Sequence, residues 1–404
     1  MLHYASPPVI GGVESTIAHH ARALAENGHA VRVISGSGAA FDSHPLIAFH
    51  LEPLFASKHP DVLALKHDLD RGERPPGFDA LTARMAAALR TALAGCDVCI
   101  AHNVHTLNKN LALTAALRQI DDVRHIAWCH DLAWTNPQYA PELYERDPWT
   151  LLRQPQPGTR YVTISEVRRA ELAALMGLPP DSIPVIPGGI DPARFFQWTP
   201  EMTHITARLN LLDADGLLLL PARLTRRKNI ALGLHVLAAL RLRTNADYRL
   251  IVTGPPGPHN PANPGYLGEL LALRAALGLQ NAVHFLYELT DPPLMVDDAT
   301  IANLYQLADA LFFPSLQEGF GLPVLEAGLA GIPVFCADLP VLRETGGADV
   351  HPFDPETTAP GEIAAFIAET LAGSPSARLR VRVRQRYRWS HIVRSQLIPL
   401  LEAP

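Results

Sequence analysis

Residues 310–326 read Ala310-Leu-Phe-Phe-Pro-Ser-Leu-Gln-Glu318-Gly-Phe-Gly-Leu-Pro-Val-Leu-Glu326. Ala310-Leu-Phe-Phe313 is a short apolar run of strand character. Pro323 suits the first turn of a helix, because its missing N–H has no partner there anyway. The stretch therefore predicts strand, loop and helix, with Glu318 in the loop at the carboxyl end of the strand and Glu326 about one turn into the helix. The two glycines let backbone N–H groups approach a ligand closely, and a helix N-terminus favours negative charge there. Two acids beside a phosphate-friendly helix start fit a ligand that also carries hydroxyls. A nucleotide sugar has both groups.

The same alternation extends to either side. In the second half, strands are predicted at Leu217–Leu220, Tyr248–Thr253, Val283–Phe285 and Pro333–Cys336, with helices between, including Asn229–Leu242. In the first half, Leu2 to Ala5 is a strand and Ser6-Pro-Pro-Val-Ile-Gly-Gly-Val-Glu14 a loop. A helix with Val13, Ile17, Ala21 and Leu24 on one face follows, then a strand at Ala30–Ile34. Further strands at Val98–Ala101, His125–Cys129 and Tyr161–Ile164 alternate with helices. Short apolar runs separated by helices imply parallel sheets of the doubly wound kind. Phe41–Phe78, rich in His, Pro and Asp, reads as an irregular variable insert. The Pro and Gly punctuation of Ile183-Pro-Val-Ile-Pro-Gly-Gly-Ile-Asp191 fits an interdomain hinge. The expected division is 1–187 and 188–388.

Composition agrees with this. A chain of 404 residues is too long for one ordinary core. Its apolar content of 48% with 18% charged residues is that of a globular protein. A formal net charge of −6 argues against a nucleic-acid partner. Cys96, Cys99, Cys129 and Cys336 make no disulfide framework and suit a reducing compartment, and no apolar run approaches the roughly 18 residues that span a bilayer. The expected location is the cytoplasm. Near the end, arginines at 378, 380, 382, 384, 386 and 388 alternate with other residues. Period two predicts a strand there, with a membrane-contacting basic face or a solvated surface as its uses.

Only four of the 34 basic residues are lysines, which draws attention to each. Lys228 sits near a helix start, five residues after Arg223 at a strand's carboxyl end. That pair makes a diphosphate clamp that would also offset charge on a leaving diphosphate. Gly11-Gly12, before the first helix, admits a phosphate to backbone amides or serves simple turn geometry, and it is not a GxGxxG fingerprint. After the strand ending at Cys129, His130 can hydrogen-bond a sugar hydroxyl and Asp131 can accept a proton. His102 and His105 face the same rim. Cys96-Asp-Val-Cys99 lacks a second pair to complete a zinc site, and Asp213-Ala-Asp215 reads as a turn.

Together, Arg223 with Lys228-Asn229, the two glutamates Glu318 and Glu326 with seven residues between them, Gly11-Gly12-Val-Glu14, and Val185-Ile-Pro-Gly-Gly-Ile-Asp191 resemble the retaining GT-B glycosyltransferases of family 4 (glycosyl transferases group 1). The likeness covers nearly the whole chain. It departs at Gly188-Gly189, where Asn-Gly is commoner. It implies an α/β GT-B fold: two tandem Rossmann-like domains, the first for the acceptor and the second for the nucleotide-sugar donor, with a last helix at 389–404 packing back on the first. By resemblance, Arg223 and Lys228 would hold the donor diphosphate, Glu326 the ribose hydroxyls and Glu318 the donor sugar. The amides of Phe320, Gly321 and Leu322 would help with sugar and phosphate. Gly12 would cover the diphosphate and His130 would contact the sugar. Gly254 and Tyr287 are candidates for base contacts. The implied activity is transfer of mannose or glucose from a GDP-mannose or UDP-glucose type of donor to a hydroxyl acceptor, with no metal and no further cofactor. The alternatives are a non-catalytic nucleotide-sugar-binding protein and another tandem Rossmann enzyme, such as a nucleotide-sugar epimerase or a dehydrogenase. Both of these enzymes are disfavoured by the missing GxGxxG.

Overall fold

The computed structural model describes residues 1–257 and 263–403. Two compact units divide the chain, one formed by Met1–Gly189 with Trp389–Pro404 and the other by Ile190–Arg388. The first unit holds strands β1 (Leu2–His3), β2 (Val31–Ser35), β3 (Ile47–Leu51), β4 (Val98–His102), β5 (Arg124–Cys129) and β6 (Thr159–Thr163). They lie in the order β3-β2-β1-β4-β5-β6, every pair parallel. The second unit holds β7 (Gly216–Leu220), β8 (Tyr248–Val252), β9 (Val283–Phe285), β10 (Ala310–Phe313), β11 (Val334–Ala337) and β12 (His351–Phe353). Their order, β12-β11-β10-β7-β8-β9, is the same arrangement and is again all parallel. This is the doubly wound order, in which the winding reverses between the first and fourth strands. A crevice opens there at the carboxyl ends.

The strand sequences explain the layers. In β7, Leu218 and Leu220 pack into one core, while Leu217 and Leu219 face the other, and all four are buried. β10 divides likewise, with Ala310 and Phe312 on one side and Leu311 and Phe313 on the other. A strand covered on both faces has no polar side to show, so its sequence reads as a continuous apolar run. At roughly 1.5–3 kcal/mol for each fully buried large side chain, these two strands anchor the unit. In the first unit, Trp389, Ile392, Val393 and Leu397 come from the end of the chain. Ile392, Val393 and Leu397 join Ile17, Val33, Ile100 and Trp128 in one apolar cluster. Trp389 stacks on His19 and meets His20 edge-on. A side chain at Gly189 would collide with Trp389 and Ile392, so the glycine admits that close approach.

Two expectations are corrected. Phe41–Phe78 is not irregular: it contains β3, paired in parallel with β2, and the helix Pro60–Leu69. As an edge strand β3 is only partly buried, which weakens its pattern. The helix start is carried by Pro60 and by the His59 ring, which accepts from the Asp61 N–H. The second correction concerns the arginine-rich segment, which is the helix Pro375–Arg386, started by Pro375 and by Ser374 Oγ accepting from the Ala377 N–H. Residues four apart share a helical face, so the alternation splits by faces. Arg380 donates to the carbonyls of Gln306 and Ala308, and Arg384 to those of Leu307 and Ala214. Arg378, Arg382 and Arg386 are exposed. Arg384 also meets Asp309 at 2.8 Å, both fully buried. Among the described residues no helix is long and apolar enough to cross a membrane.

Candidate functional site

In the second unit the strands flanking the reversal are β7 and β10, which are hydrogen-bonded neighbours. Their following loops therefore meet, although 90 residues separate them in sequence. The Leu316 N–H donates to the Arg227 carbonyl at 2.8 Å, and the Arg227 guanidinium returns a bond to the Gln317 carbonyl at 2.9 Å. This stitch brings Lys228 Nζ into a short ion-paired hydrogen bond with Glu318 Oε1. Arg227 stands 3.5 Å from Glu318 Oε2. The side chains of Lys228 and Glu318 are only 12% and 9% exposed, which makes the pair far less screened than a surface bridge. Lys228 also lies 4.8 Å from the centre of the Phe313 ring. Burial pulls its ammonium below the usual lysine range, with Glu318 acting in the opposite direction.

Arg223 follows β7, exposed and without a side-chain partner among the described residues. Its backbone is fixed by Gly254. A Cβ at Gly254 would lie 2.5 Å from the Ala222 oxygen and 2.6 Å from Arg223 Cα, so the loops after β7 and β8 touch only because that residue is glycine. The Gly254 N–H donates to Ala222, and the Leu224 N–H to Pro255. Tyr287 sits half-buried in the turn after β9.

After Glu318 the chain passes Phe320, 54% exposed, and turns at Gly321 with φ of +89° into the helix Leu322–Ala330. A side chain at Gly321 would run into Leu342, 2.4 Å away. Among the described residues no side chain caps this helix; Pro323 has no N–H and the Val324 N–H donates to the Gly321 carbonyl at 2.9 Å, so the Leu322 N–H is the first-turn amide left for another acceptor. Leu322 is exposed at its start. Glu326 stands exposed one turn on, its Oε2 accepting from the Tyr305 hydroxyl at 2.6 Å. Burial and the adjacent Glu326 carboxylate push the Tyr305 phenol upward, so it stays a proton donor to that carboxylate. Tyr305, in the helix Asp298–Leu307, and Arg227 are partners that sequence reasoning did not select. Nothing in the spacing of either residue marks it, because each acts across a strand boundary.

In the first unit the corresponding strand ends are those of β1 and β4, with β5 beside them. The helix Gly12–Glu26 starts at Gly11 in extended conformation with no side-chain cap. A Cβ on Gly12 would enter open space, so the glycine leaves the helix end unobstructed. Gly12, Val13, Thr16, Trp128, His130 and Asp131 line one side of a cavity of about 350 Å³. His130 is buried, and burial followed by the nearby His3 pulls its imidazole down to about 3. His102 Nδ1 lies 3.0 Å from His130 Nε2. Asp131 remains half-exposed beside Arg168, 4.0 Å away. His105 is turned elsewhere, toward Gln156 and Tyr161. Burial raises the Cys99 thiol to about 11 and the Cys129 thiol to about 12, so both are inert thiols in the sheet. Asp213 pairs with Arg388, and Asp215 accepts from Gln385 and the Asp247 N–H, as turn residues do.

Residues 10–194 match the family described as Glycosyltransferase Family 4, and residues 203–386 match glycosyl transferases group 1. A D-inositol 3-phosphate glycosyltransferase of Mycolicibacterium vanbaalenii is 30% identical over 342 residues, covering 80% of this chain and 71% of the relative. An MMP alpha-(1->4)-mannosyltransferase of Mycolicibacterium hassiacum is 24% identical, covering 86% and 83%. With an uncharacterised glycosyltransferase of Methanocaldococcus jannaschii the identity is 28%, over 50% of this chain and 49% of that one, so the match spans about half the relative's length. Among solved structures, sucrose-phosphate synthase from Thermosynechococcus elongatus overlaps 99% of this chain and 98% of its own at 18% identity, a loose superposition with a TM-score of 0.39. With two parallel doubly wound units and family matches over nearly its whole length, this chain belongs to family 4 of the GT-B glycosyltransferases.

Proposed function

We propose that the protein transfers a hexose from a nucleoside diphosphate sugar to an acceptor hydroxyl, with retention at the anomeric carbon and no need of a metal. The observation that carries this reading is the crevice after β7 and β10. It gathers the guanidinium of Arg223, exposed and unpartnered among the described residues, an ammonium held in place at Lys228 and a helix start at Leu322 that no described side chain caps. All three favour an anion. A leaving diphosphate gains charge as its bond to the anomeric carbon breaks, and fixed cations stabilise that charge without reorganising.

The new bond to the acceptor oxygen forms on the face the phosphate leaves, and the acceptor's proton passes to the departing phosphate oxygen. Glu318 is already engaged by Lys228 and Arg227, which disfavours a covalent double displacement through that carboxylate. In this scheme Glu318 fixes the cation on which the transition state depends. Glu326, oriented by Tyr305, accepts hydrogen bonds from the ribose hydroxyls. Within the first unit, the cavity lined by Gly12 and His130 offers a helix end and an imidazole to an oxygen-bearing ligand.

The relatives' names favour mannose among the sugars and make D-inositol 3-phosphate the first acceptor to try. A thermal-shift panel of GDP-mannose, UDP-glucose and other nucleotide sugars identifies the donor, since a bound ligand raises the melting point by linkage. Transfer from that donor by the purified protein, lowered about 10²–10³-fold in Lys228→Ala, is the expected result. Undiminished turnover in that variant would sink the assignment.

A further inference from the structure

His130 is gripped by two consecutive residues of the neighbouring strand end. Its backbone N–H donates to Asn103 Oδ1 at 2.8 Å, and the Asp131 N–H donates to the same oxygen at 3.1 Å. Its ring lies stacked against that of His102, with His102 Nδ1 and His130 Nε2 separated by 3.0 Å. The two strands, β4 and β5, pair in parallel, which sets these ends side by side. Asn103 has φ of +59°, a left-handed conformation that asparagine and aspartate tolerate better than other side chains. A residue serving the turn alone would be glycine. Asparagine adds the acceptor.

The proton between the two imidazoles can be located. If it sat on His130 Nε2, a neutral His102 would carry its own proton on Nε2, which is buried without a partner among the described residues. An orphaned buried N–H is rarer than an orphaned acceptor, so the proton belongs on His102 Nδ1. His130 Nε2 then accepts. Burial keeps the His130 ring neutral, so its own proton resides on Nδ1, the nitrogen left for the cavity that His130 lines.

We propose that His102 and Asn103 are positioning residues that lock His130 into one orientation and one tautomer, so that it offers the cavity an N–H donor and not a basic nitrogen. The ligand atom it meets is therefore an oxygen acceptor, a hydroxyl or a phosphate oxygen. The functional half of this inference rests on the proposed role of His130, whereas its structural half does not.

Two-bond 1H–15N correlation spectra of the histidine rings in the full chain test it, with His130 assigned by its loss in His130→Gln. The expected wild-type signal is a neutral ring protonated on Nδ1. Asn103→Asp keeps both the turn and the acceptor and should keep that signal. Asn103→Gly relaxes the turn but deletes the acceptor, and should average the two tautomers, as should His102→Phe. A wild-type ring protonated on Nε2, or an Asn103→Gly spectrum identical to wild type, overturns the proposal. Hydrolysis of GDP-mannose or UDP-glucose supplies the second readout. Asn103→Gly should lower kcat by about tenfold or more with little change in KM, and Asn103→Asp should restore it. Undisturbed hydrolysis in His130→Gln would instead remove His130 from the proposed function and leave the tautomer result standing.

Discussion

In the first unit the strand ends at the reversal of winding carry buried, neutral histidines. His102 and His130 share a hydrogen bond, and His20 packs between His102 and Trp389. In the second unit the equivalent ends carry charge, an exposed Arg223 and the Lys228–Glu318 pair. The strand order is the same in both. The comparison teaches that the doubly wound sheet dictates where a ligand meets the chain, while the few residues just beyond each strand decide what chemistry it meets. Four measurements would break or sharpen the contrast.

The largest effect is expected from acid. His20, His105 and His130 are pulled down to about 3 by burial, and His102 is moved in the same direction. In the unfolded chain each titrates near 6.5. Above that value neither state binds a proton, and the histidines leave stability unchanged. As pH falls from about 6.5 towards 3, only the unfolded state takes up protons, so stability drops by about 1.4 kcal/mol per pH unit for each such histidine. Urea unfolding followed at the tryptophans should show the first unit failing first, since the second has only His284 and His351 lowered among its described histidines. Equal acid sensitivity of the two units would remove the contrast.

Asp309→Ala is next. It leaves Arg384 buried beside no carboxylate, which should cost about 3–5 kcal/mol, read by calorimetry on the second unit's transition. A loss under about 1 kcal/mol would mean that the carbonyls of Ala214 and Leu307 suffice for the guanidinium.

Lys228→Ala should lower transfer about 10²–10³-fold and, by leaving the nearly buried Glu318 with only Arg227 beside it, should also destabilise the second unit. Glu318→Ala, which frees the ammonium, should damage transfer more than nucleotide affinity. If both variants acted on affinity alone, Lys228 would be a binding residue with no larger part in the transition state.

The smallest effect belongs to Tyr305→Phe, which deletes one hydrogen bond to Glu326. A loss of about 0.5–1.5 kcal/mol in donor binding, several-fold in Kd, is expected by calorimetric titration. Glu326→Ala should exceed it, and the reverse order would assign the contact to the phenol.

Much of this molecule was legible in its sequence for a physical reason. A strand buried on both faces must be apolar throughout, and a helix that follows a strand end announces itself by Pro or Gly, so the alternation of elements, the positions of Arg223 and Glu318 in loops after strands and those of Lys228 and Glu326 at helix starts could be read locally. The arginine-rich segment misled because its period of two belonged to one residue type and not to a buried face. Its true face, Arg380 and Arg384, is defined by carbonyls at 214 and 306–308. β3 was missed because an edge strand is paired on one side only and needs little apolar pattern.

What the tertiary structure alone decided is partnership. That Lys228 holds Glu318, that Tyr305 orients Glu326 and that Asn103 and His102 hold His130 depend on which strands lie side by side. Local sequence sets each strand and the residues at its tip, because propensity and burial act over a few residues. Pairing across 90 or 28 positions is set by sheet order, which no local stretch encodes.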